Sequence, residues 1–255
     1  MSNLGASAAW GLAVAASLVT GAVGASILRL PERVAATLAA FGGGILFAAV
    51  ALELVPEADE GAGPVGTAAG LLFGTIVYVG ADAWLTRDKS MMKVRRAGHA
   101  AAAGMPMELP HNHAEAQRGE SIAAGLVVDG IPESVALGLT IAQGRIGVAL
   151  LAGILVGNAV EAYGAAHPIV AGGHSRKFAV GLLAAIGMAL AVATVLGGTL
   201  LADADPSVVG GAQSVAAGAV LAVISVSIIP YAFSEVSSRV AIAAAIGFIA
   251  GYLLS

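Results

Sequence analysis

Apolar stretches of about twenty residues recur along the whole chain and constrain its fold more than any other feature. A helix of that length rises about 30 Å, which matches the hydrocarbon thickness of a bilayer. The stretches are apolar on all sides and rich in Ala, Leu and Gly, whereas the strands of a membrane barrel alternate apolar and polar residues. We therefore predict an all-α fold, a polytopic helical bundle in a membrane.

The composition points to the same class. Only 11% of the 255 residues are charged, against about 25% in a typical soluble domain, whose surface must be hydrated. The 35 glycines would destabilise soluble helices by about 1 kcal/mol each relative to alanine. In a membrane, small residues let helix backbones approach closely and so stabilise a bundle. The chain has no cysteine, which excludes disulfide bonds.

We predict eight membrane-spanning helices that form a single transmembrane domain over residues 1–255. One long connection, residues 86–120, separates the third helix from the fourth and holds half of the 12 basic residues. The N-terminal stretch has no basic residue before it and is interpreted as the first span rather than as a signal peptide. The predicted spans cover residues 8–28, 35–55, 64–85, 121–141, 147–170, 179–201, 208–229 and 240–254.

The basic residues fall on alternate connections, which predicts an orientation by the positive-inside rule. If the 86–120 loop is cytoplasmic, all of the 12 basic residues except Arg145 lie on the cytoplasmic side. Both termini are then outside, and the outer connections carry acidic residues instead. These outer acids are Glu57, Asp59, Glu60, Asp203 and Asp205.

Two acidic residues, Asp129 and Glu133, lie inside the fourth predicted span. A charge at the centre of a span costs about 2.5–3.5 kcal/mol on insertion scales, so such residues normally face a cavity and have a function. Their spacing of four places both on one helical face, and Pro132 leaves a carbonyl near Val128 without its donor. We interpret the pair as part of a cation path, because no Lys or Arg within the spans neutralises it. Polar contacts between helices are the structural alternative.

The fifth predicted span carries Asn158 and Glu161, which are three residues apart and share a face. Two neighbouring helices that each present oxygen ligands can build one metal site between them. Carboxylate and carbonyl oxygens suit the harder divalent ions, although Zn²⁺ also accepts carboxylates. For Asn158, a role in bonding two helices together is an equal alternative.

These two patterns resemble the motifs of a known family, the ZIP (Zrt/Irt-like) divalent-metal transporters. Residues 129–134 read Asp-Gly-Ile-Pro-Glu-Ser and are similar to that family's His-Asn-x-Pro-Glu-Gly motif. Residues 157–161 read Gly-Asn-Ala-Val-Glu and resemble its second motif, Gln-Asp-x-Pro-Glu in bacterial members. Eight spans, outside termini and a long His-containing loop after the third span also match the family.

The resemblance implies transport of a divalent cation, Zn²⁺, Fe²⁺, Mn²⁺ or Cd²⁺, across the cell membrane (inner or plasma membrane) toward the cytoplasm. It implies a metal site made of Asp129, Glu133 and Glu161, with Asn158 assisting. The cation is then the transported substrate, and we expect neither an enzyme activity nor an organic cofactor. The expected partners are divalent metal ions and membrane lipid, with no nucleic acid, and a homodimer is left open.

Departures from the family's motifs point to a single metal. Gly130 stands where the family has the Asn that binds a second metal, and no acidic residue lies between Lys177 and Asp203. The family's first His is replaced by Asp129, which shifts the expected preference from Zn²⁺ toward Mn²⁺ or Fe²⁺, or lowers selectivity.

Two other functions stay open, a non-transporting metal sensor and an intramembrane metal-dependent hydrolase. The sequence has no His-Glu-x-x-His, no Gly-x-Ser-x-Gly and no Cys, which disfavours the hydrolase.

Acidic and His residues outside the span centres have weaker interpretations. Glu53 and Glu57, near the outer end of the second span, are expected to be solvated, or to form a cation-attracting mouth with the other acids of that connection. In the long loop, His111 and His113 either bind metal weakly or belong to a polar connector.

Overall fold

The structure is a computed structural model that describes residues 3–28, 30–85, 113–145 and 147–255. Of these residues, 92% lie in helices and none forms a strand, which confirms the all-α prediction. The α-helices, numbered in chain order, are α1 (Asn3–Ile27), α2 (Glu32–Ala49), α3 (Val55–Leu85), α4 (His113–Ala142), α5 (Val148–Ala171), α6 (Arg176–Leu200), α7 (Pro206–Val223), α8 (Ile229–Val236) and α9 (Val240–Leu254).

Two π-helical segments of five residues connect some of these helices. The first π segment, Val50–Leu54, joins α2 to α3, and the second π segment, Ile224–Ile228, joins α7 to α8. Each follows an α-helix of 18 residues. A π turn inserts an extra residue into the helix and is often found at functional sites. A 3-10 turn, Ser237–Arg239, then joins α8 to α9.

Six helical stretches in the described part of the chain are long and apolar enough to cross a membrane, rather than the eight separate spans predicted. Two of them are 53 and 49 residues long, more than twice the roughly twenty residues that one crossing needs. Each of these two contains a residue at positive φ that breaks the regular helix, Gly63 at 68° and Ser237 at 59°. The six stretches are Asn3–Ile27, Glu32–Trp84, Gly125–Ala142, Val148–Ala171, Arg176–Leu200 and Pro206–Leu254.

Helix also extends into two regions that hydropathy predicts as connections. Residues 56–62 between the second and third predicted spans are helical up to the break at Gly63, and α4 begins at His113 rather than at residue 121. Both regions contain Ala and Glu, which favour helix, and a polar helix gives no hydropathy signal. The rest of the 86–120 loop, with His111, lies outside the described residues, as does the side chain of His113.

The helices pack in a pattern that repeats within the chain. The main contacts form three matched pairs. The contact of α3 with α7 matches that of α2 with α9, and the contact of α1 with α5 matches that of α4 with α6. The contact of α2 with α5 matches that of α4 with α7. In addition, α1 packs on α6 and α4 packs on α5. Exchanging α1 with α6, α2 with α7, α3 with α9 and α4 with α5 reproduces the same set of contacts. The packing therefore has the form of an internal two-fold repeat with α4 and α5 at its centre.

Small residues allow these close contacts, as predicted. Where α1 meets α6, a Cβ added to Gly187 would lie 2.8 Å from the Cα of Ala15, well inside normal carbon–carbon contact. Large apolar side chains on the outside of α3, such as Leu72, Phe73 and Ile76, are instead exposed. An extended apolar outer surface of this kind is compatible with contact with membrane lipid.

Candidate cation site

Helix α4 places Asp129 and Glu133 inside the bundle, as predicted. Their side chains are 6% and 5% exposed. Close packing of α4 on α6 contributes to this burial, because a Cβ added to Gly130 would lie 2.6 Å from a methyl carbon of Leu190. Pro132 lies within α4 between the two acids and has no N–H to donate to the preceding turn. Two carboxylates therefore share one buried face of α4, and the proline between them leaves the helix one backbone donor short.

Two hydroxyl groups from other elements hold the carboxylate of Asp129. The Oη of Tyr78 on α3 donates to its Oδ1. The Oγ of Ser227, in the second π segment, donates to its Oδ2 at 2.9 Å. Both donors are buried. Asp129 thus joins three elements that are distant in sequence.

Glu133 follows Asp129 by four residues on the same face of α4, so the two charges lie close enough to act on each other. Within the described part of the chain, no ion pair involves Glu133. The hydroxyl of the next residue, Ser134, is fully buried and has no hydrogen-bond partner among the described residues. A buried carboxylate without an ion pair and a buried hydroxyl without a hydrogen-bond partner, as far as the described residues go, are therefore neighbours in α4.

Of the two predicted residues of α5, Asn158 is buried and Glu161 is partly buried. Asn158 is 2% exposed, and its Nδ2 finds no hydrogen-bond partner in the residues described. Glu161 is partly buried and lies within electrostatic reach of Tyr231 on α8. Among the described residues, no three acidic or His side chains lie close enough together to hold a metal ion. The structure thus brings Asp129 and Glu133 together, without adding Glu161 to them.

A second polar cluster lies at one end of the bundle and was not predicted in this form. The carboxylate of Glu57 is only 7% exposed, so the expectation that it is solvated is wrong. The Nε2 of Gln213, a fully buried residue of α7, donates to its Oε2 at 2.8 Å. Arg145 lies 3.8 Å from its Oε1 and bonds the exposed Glu60 at 2.8 Å. Arg145 therefore connects the α4–α5 turn to α3.

Glu53, in the first π segment, is partly buried rather than solvated. Its two carboxylate oxygens accept the backbone N–H groups of Ala149 and Leu150, each at 3.1 Å. These N–H groups belong to the first turn of α5, which has no preceding carbonyls to bond, and the helix dipole favours a negative charge there. Glu53 is therefore a cap for α5.

Two contacts fix connections between helices onto the bundle. Arg145, between α4 and α5, meets Glu57 and Glu60 of α3. The hydroxyl of Tyr163 on α5 donates to the carbonyl of Leu28 and accepts from the N–H of Leu30, in the connection after α1.

Sequence reasoning missed Tyr78, Ser227 and Gln213. Each is a polar residue inside an apolar stretch, which is the signal that could have drawn attention to it. Polar residues of this kind are common between membrane helices, so the sequence alone did not separate them from ordinary interhelical contacts.

No protein-family model matches the sequence, and no curated protein matches it. The fold and its interior define a helical protein whose described residues include six helical stretches long and apolar enough to cross a membrane. Inside its bundle lie two adjacent carboxylates, Asp129 and Glu133.

Proposed function

We propose that the protein carries divalent metal cations across the cell membrane, the inner or plasma membrane, toward the cytoplasm. The observation that carries the proposal is the burial of Asp129 and Glu133 on one face of α4, at the centre of the bundle. Two buried carboxylates four residues apart on one helical face repel each other, and each is costly to desolvate. A bound divalent cation offsets both costs.

The proposed ligands are Asp129, Glu133 and Glu161, with Asn158 assisting. The three carboxylates do not form one group in the described residues, so we propose that the full site assembles when α4 and α5 move relative to each other. The internal two-fold packing supports such a movement, because α4 and α5 occupy equivalent positions in the two halves of the repeat. Transporters with internal repeats move one repeat against the other around a site near the membrane centre.

The proposed topology has eight crossings with both termini outside. In this proposal each of the two longest helical stretches crosses the membrane twice, with its turns at Gly63 and Ser237. Their lengths of 53 and 49 residues are sufficient for two crossings of roughly twenty residues each. Two contacts also support the alternation of outer and cytoplasmic connections. Arg145 pairs with Glu60, which was assigned to the same outer side, and Tyr163 contacts Leu28 at the connection after α1, which was assigned to the cytoplasmic side.

The donor atoms suggest which cations are carried. All proposed ligands supply oxygen, and oxygen ligands favour Mn²⁺ and Fe²⁺ more than a site with imidazole or thiolate does. Zn²⁺ and Cd²⁺ remain within the proposed substrate class, with the weaker preference.

Ion uptake into proteoliposomes tests the proposal. Purified protein is reconstituted and offered Zn²⁺, Mn²⁺, Fe²⁺, Cd²⁺ and Mg²⁺ in turn, and the wild type is compared with Asp129→Ala. We expect uptake of at least Mn²⁺ or Fe²⁺ by the wild type and its loss in the variant. Absence of divalent uptake by the wild type would overturn the proposal. Metal-dependent turnover of a peptide or lipid would instead favour the hydrolase.

A further inference from the structure

The carboxylate of Asp129 is held at both of its oxygens, and neither donor belongs to the helices that carry the proposed ligands. Tyr78 comes from α3 and lies 51 residues before Asp129. Ser227 comes from the second π segment and lies 98 residues after it. Because both oxygens accept a hydrogen bond, the carboxylate has one preferred orientation relative to α4.

The backbone that carries Tyr78 is itself fixed to α7. One turn earlier on α3, the hydroxyl of Thr75 lies within hydrogen-bond distance of two carbonyls, that of Leu71 on its own helix at 2.9 Å and that of Gly218 on α7 at 3.0 Å. At Gly74 the two helices are so close that an added Cβ would overlap the carbonyl of Val215. The phenol of Tyr78 therefore reaches Asp129 from a rigid support.

The second π segment directs its two serines differently. Ser227 is buried and donates to Asp129, whereas Ser225 is exposed and its hydroxyl bonds the carbonyl of Leu221, one turn earlier. The segment also packs tightly on α2, because a Cβ added to Gly43 would lie 2.8 Å from a methyl carbon of Ile228. The two serines form a matched pair, one within the site and one outside it.

We propose that Tyr78 and Ser227 are positioning residues of the cation site, which fix the carboxylate of Asp129 in the orientation that binds the cation. This inference rests on the proposed function. Carboxylates that bind a metal are commonly held by hydrogen bonds of this kind, and removal of such a partner weakens metal binding about 10–100-fold.

The arrangement also links cation affinity to the positions of the helices. Asp129 belongs to α4, Tyr78 to α3 and Ser227 to the segment after α7. A movement that separates α4 from either element breaks one hydrogen bond and releases the carboxylate. The site then binds the cation tightly only when the three elements are together, which is what a carrier needs in order to bind on one side and release on the other.

Mn²⁺ binding by the purified full-length protein tests the inference, with Mn²⁺ uptake measured in parallel. Tyr78→Phe and Ser227→Ala each remove one hydroxyl and should weaken Mn²⁺ binding about 10–100-fold, with a matching rise in the KM of uptake. Ser227→Thr keeps the hydroxyl and should restore much of the affinity. The controls Ser225→Ala and Tyr163→Phe remove hydroxyls elsewhere and should leave the affinity unchanged.

The interpretation does not depend on stability alone. In an Asp129→Asn background, removal of either hydroxyl should cause little further loss of affinity, because the group that it positions has already been changed. A purely structural role would lower the thermal stability of Tyr78→Phe and Ser227→Ala without changing their Mn²⁺ affinity, and that result would overturn the inference. Failure of the wild type to bind or transport Mn²⁺ would overturn the proposed function as well.

Discussion

The side-chain amide of Gln213 donates a 2.8 Å hydrogen bond to the buried carboxylate of Glu57, 156 residues earlier in the chain. This bond fastens α7 to α3 at the end of the bundle where Arg145 also binds. Close backbone packing surrounds it, because a Cβ added to Gly210 would lie 2.8 Å from the carbonyl oxygen of Ala58. Glu57 and Gln213 therefore stabilise one end of the two-fold packing, away from the proposed cation site.

We expect Gln213→Ala to lower the free energy of unfolding by about 1–3 kcal/mol, because it removes the hydrogen bond to the buried Oε2 of Glu57. Denaturant unfolding in detergent measures the change. Glu60→Gln is the matched control, since it removes an exposed ion pair with Arg145 that is worth about 1 kcal/mol or less. Equal destabilisation by the two variants would contradict the assignment.

Glu53→Ala should weaken the first turn of α5. The N–H groups of Ala149 and Leu150 lose their acceptors, and loss of a helix cap costs about 0.5–2 kcal/mol. Hydrogen exchange of a peptide that covers residues 147–152 measures the change directly. Faster exchange is expected there and not in α6, and an unchanged rate would show that Glu53 does not cap the helix.

The break at Gly63 needs a residue that tolerates positive φ. Gly63 has φ 68° and ψ 167°, with no atom near the position of a Cβ. An added side chain would therefore be penalised by the backbone conformation alone, by about 1–3 kcal/mol. Gly211 on α7 also has open space around it, with no positive φ. We therefore expect Gly63→Ala to lower thermal stability and Gly211→Ala to leave it unchanged or raise it. A higher thermal stability for Gly63→Ala than for Gly211→Ala would argue against a helix break at Gly63.

The N-terminus of α7 should respond to acid through Asp205. Its side chain accepts hydrogen bonds from the hydroxyl and the backbone N–H of Ser207, which lower the pKa of Asp205 below its usual value. A lowered pKa in the folded state means that the stabilisation is complete above the ordinary aspartate pKa and is lost as the pH falls through the folded pKa. The difference in thermal midpoint between wild type and Asp205→Ala should therefore shrink on acidification. Asp203→Asn is the control, and a difference that does not change with pH would contradict the prediction.

Hydropathy and charge predicted much of this protein, because both act locally. The apolar stretches became helices, and the burial of Asp129 and Glu133 followed from their position within one of them. Helix ends were less well predicted, since α4 begins in a polar segment at His113 and since the break at Gly63 depends on a single backbone angle.

The contacts that complete each cluster could not be read from the sequence. Tyr78 and Ser227 reach Asp129, and Gln213 reaches Glu57, only because helices far apart in the chain pack together. The same holds for Glu161. It lies on the same face of α5 as Asn158, but this does not determine how close it lies to α4. Sequence periodicity predicts which residues share a face of a helix, whereas the packing of the whole bundle determines which helix that face contacts.

Mn²⁺ uptake by Glu133→Gln tests the central claim most directly, because Glu133 is buried beside Asp129 and the substitution keeps its shape while removing its charge. Asp203→Asn, which changes an exposed acid in another connection, is the control. In proteoliposomes with equal amounts of folded protein, we predict that the wild type and Asp203→Asn take up Mn²⁺ at the same rate. Glu133→Gln should be slower by about tenfold or more, at least the loss expected for a residue that supports a metal ligand. Uptake by Glu133→Gln at the wild-type rate would contradict the claim that the carboxylates of α4 carry the cation.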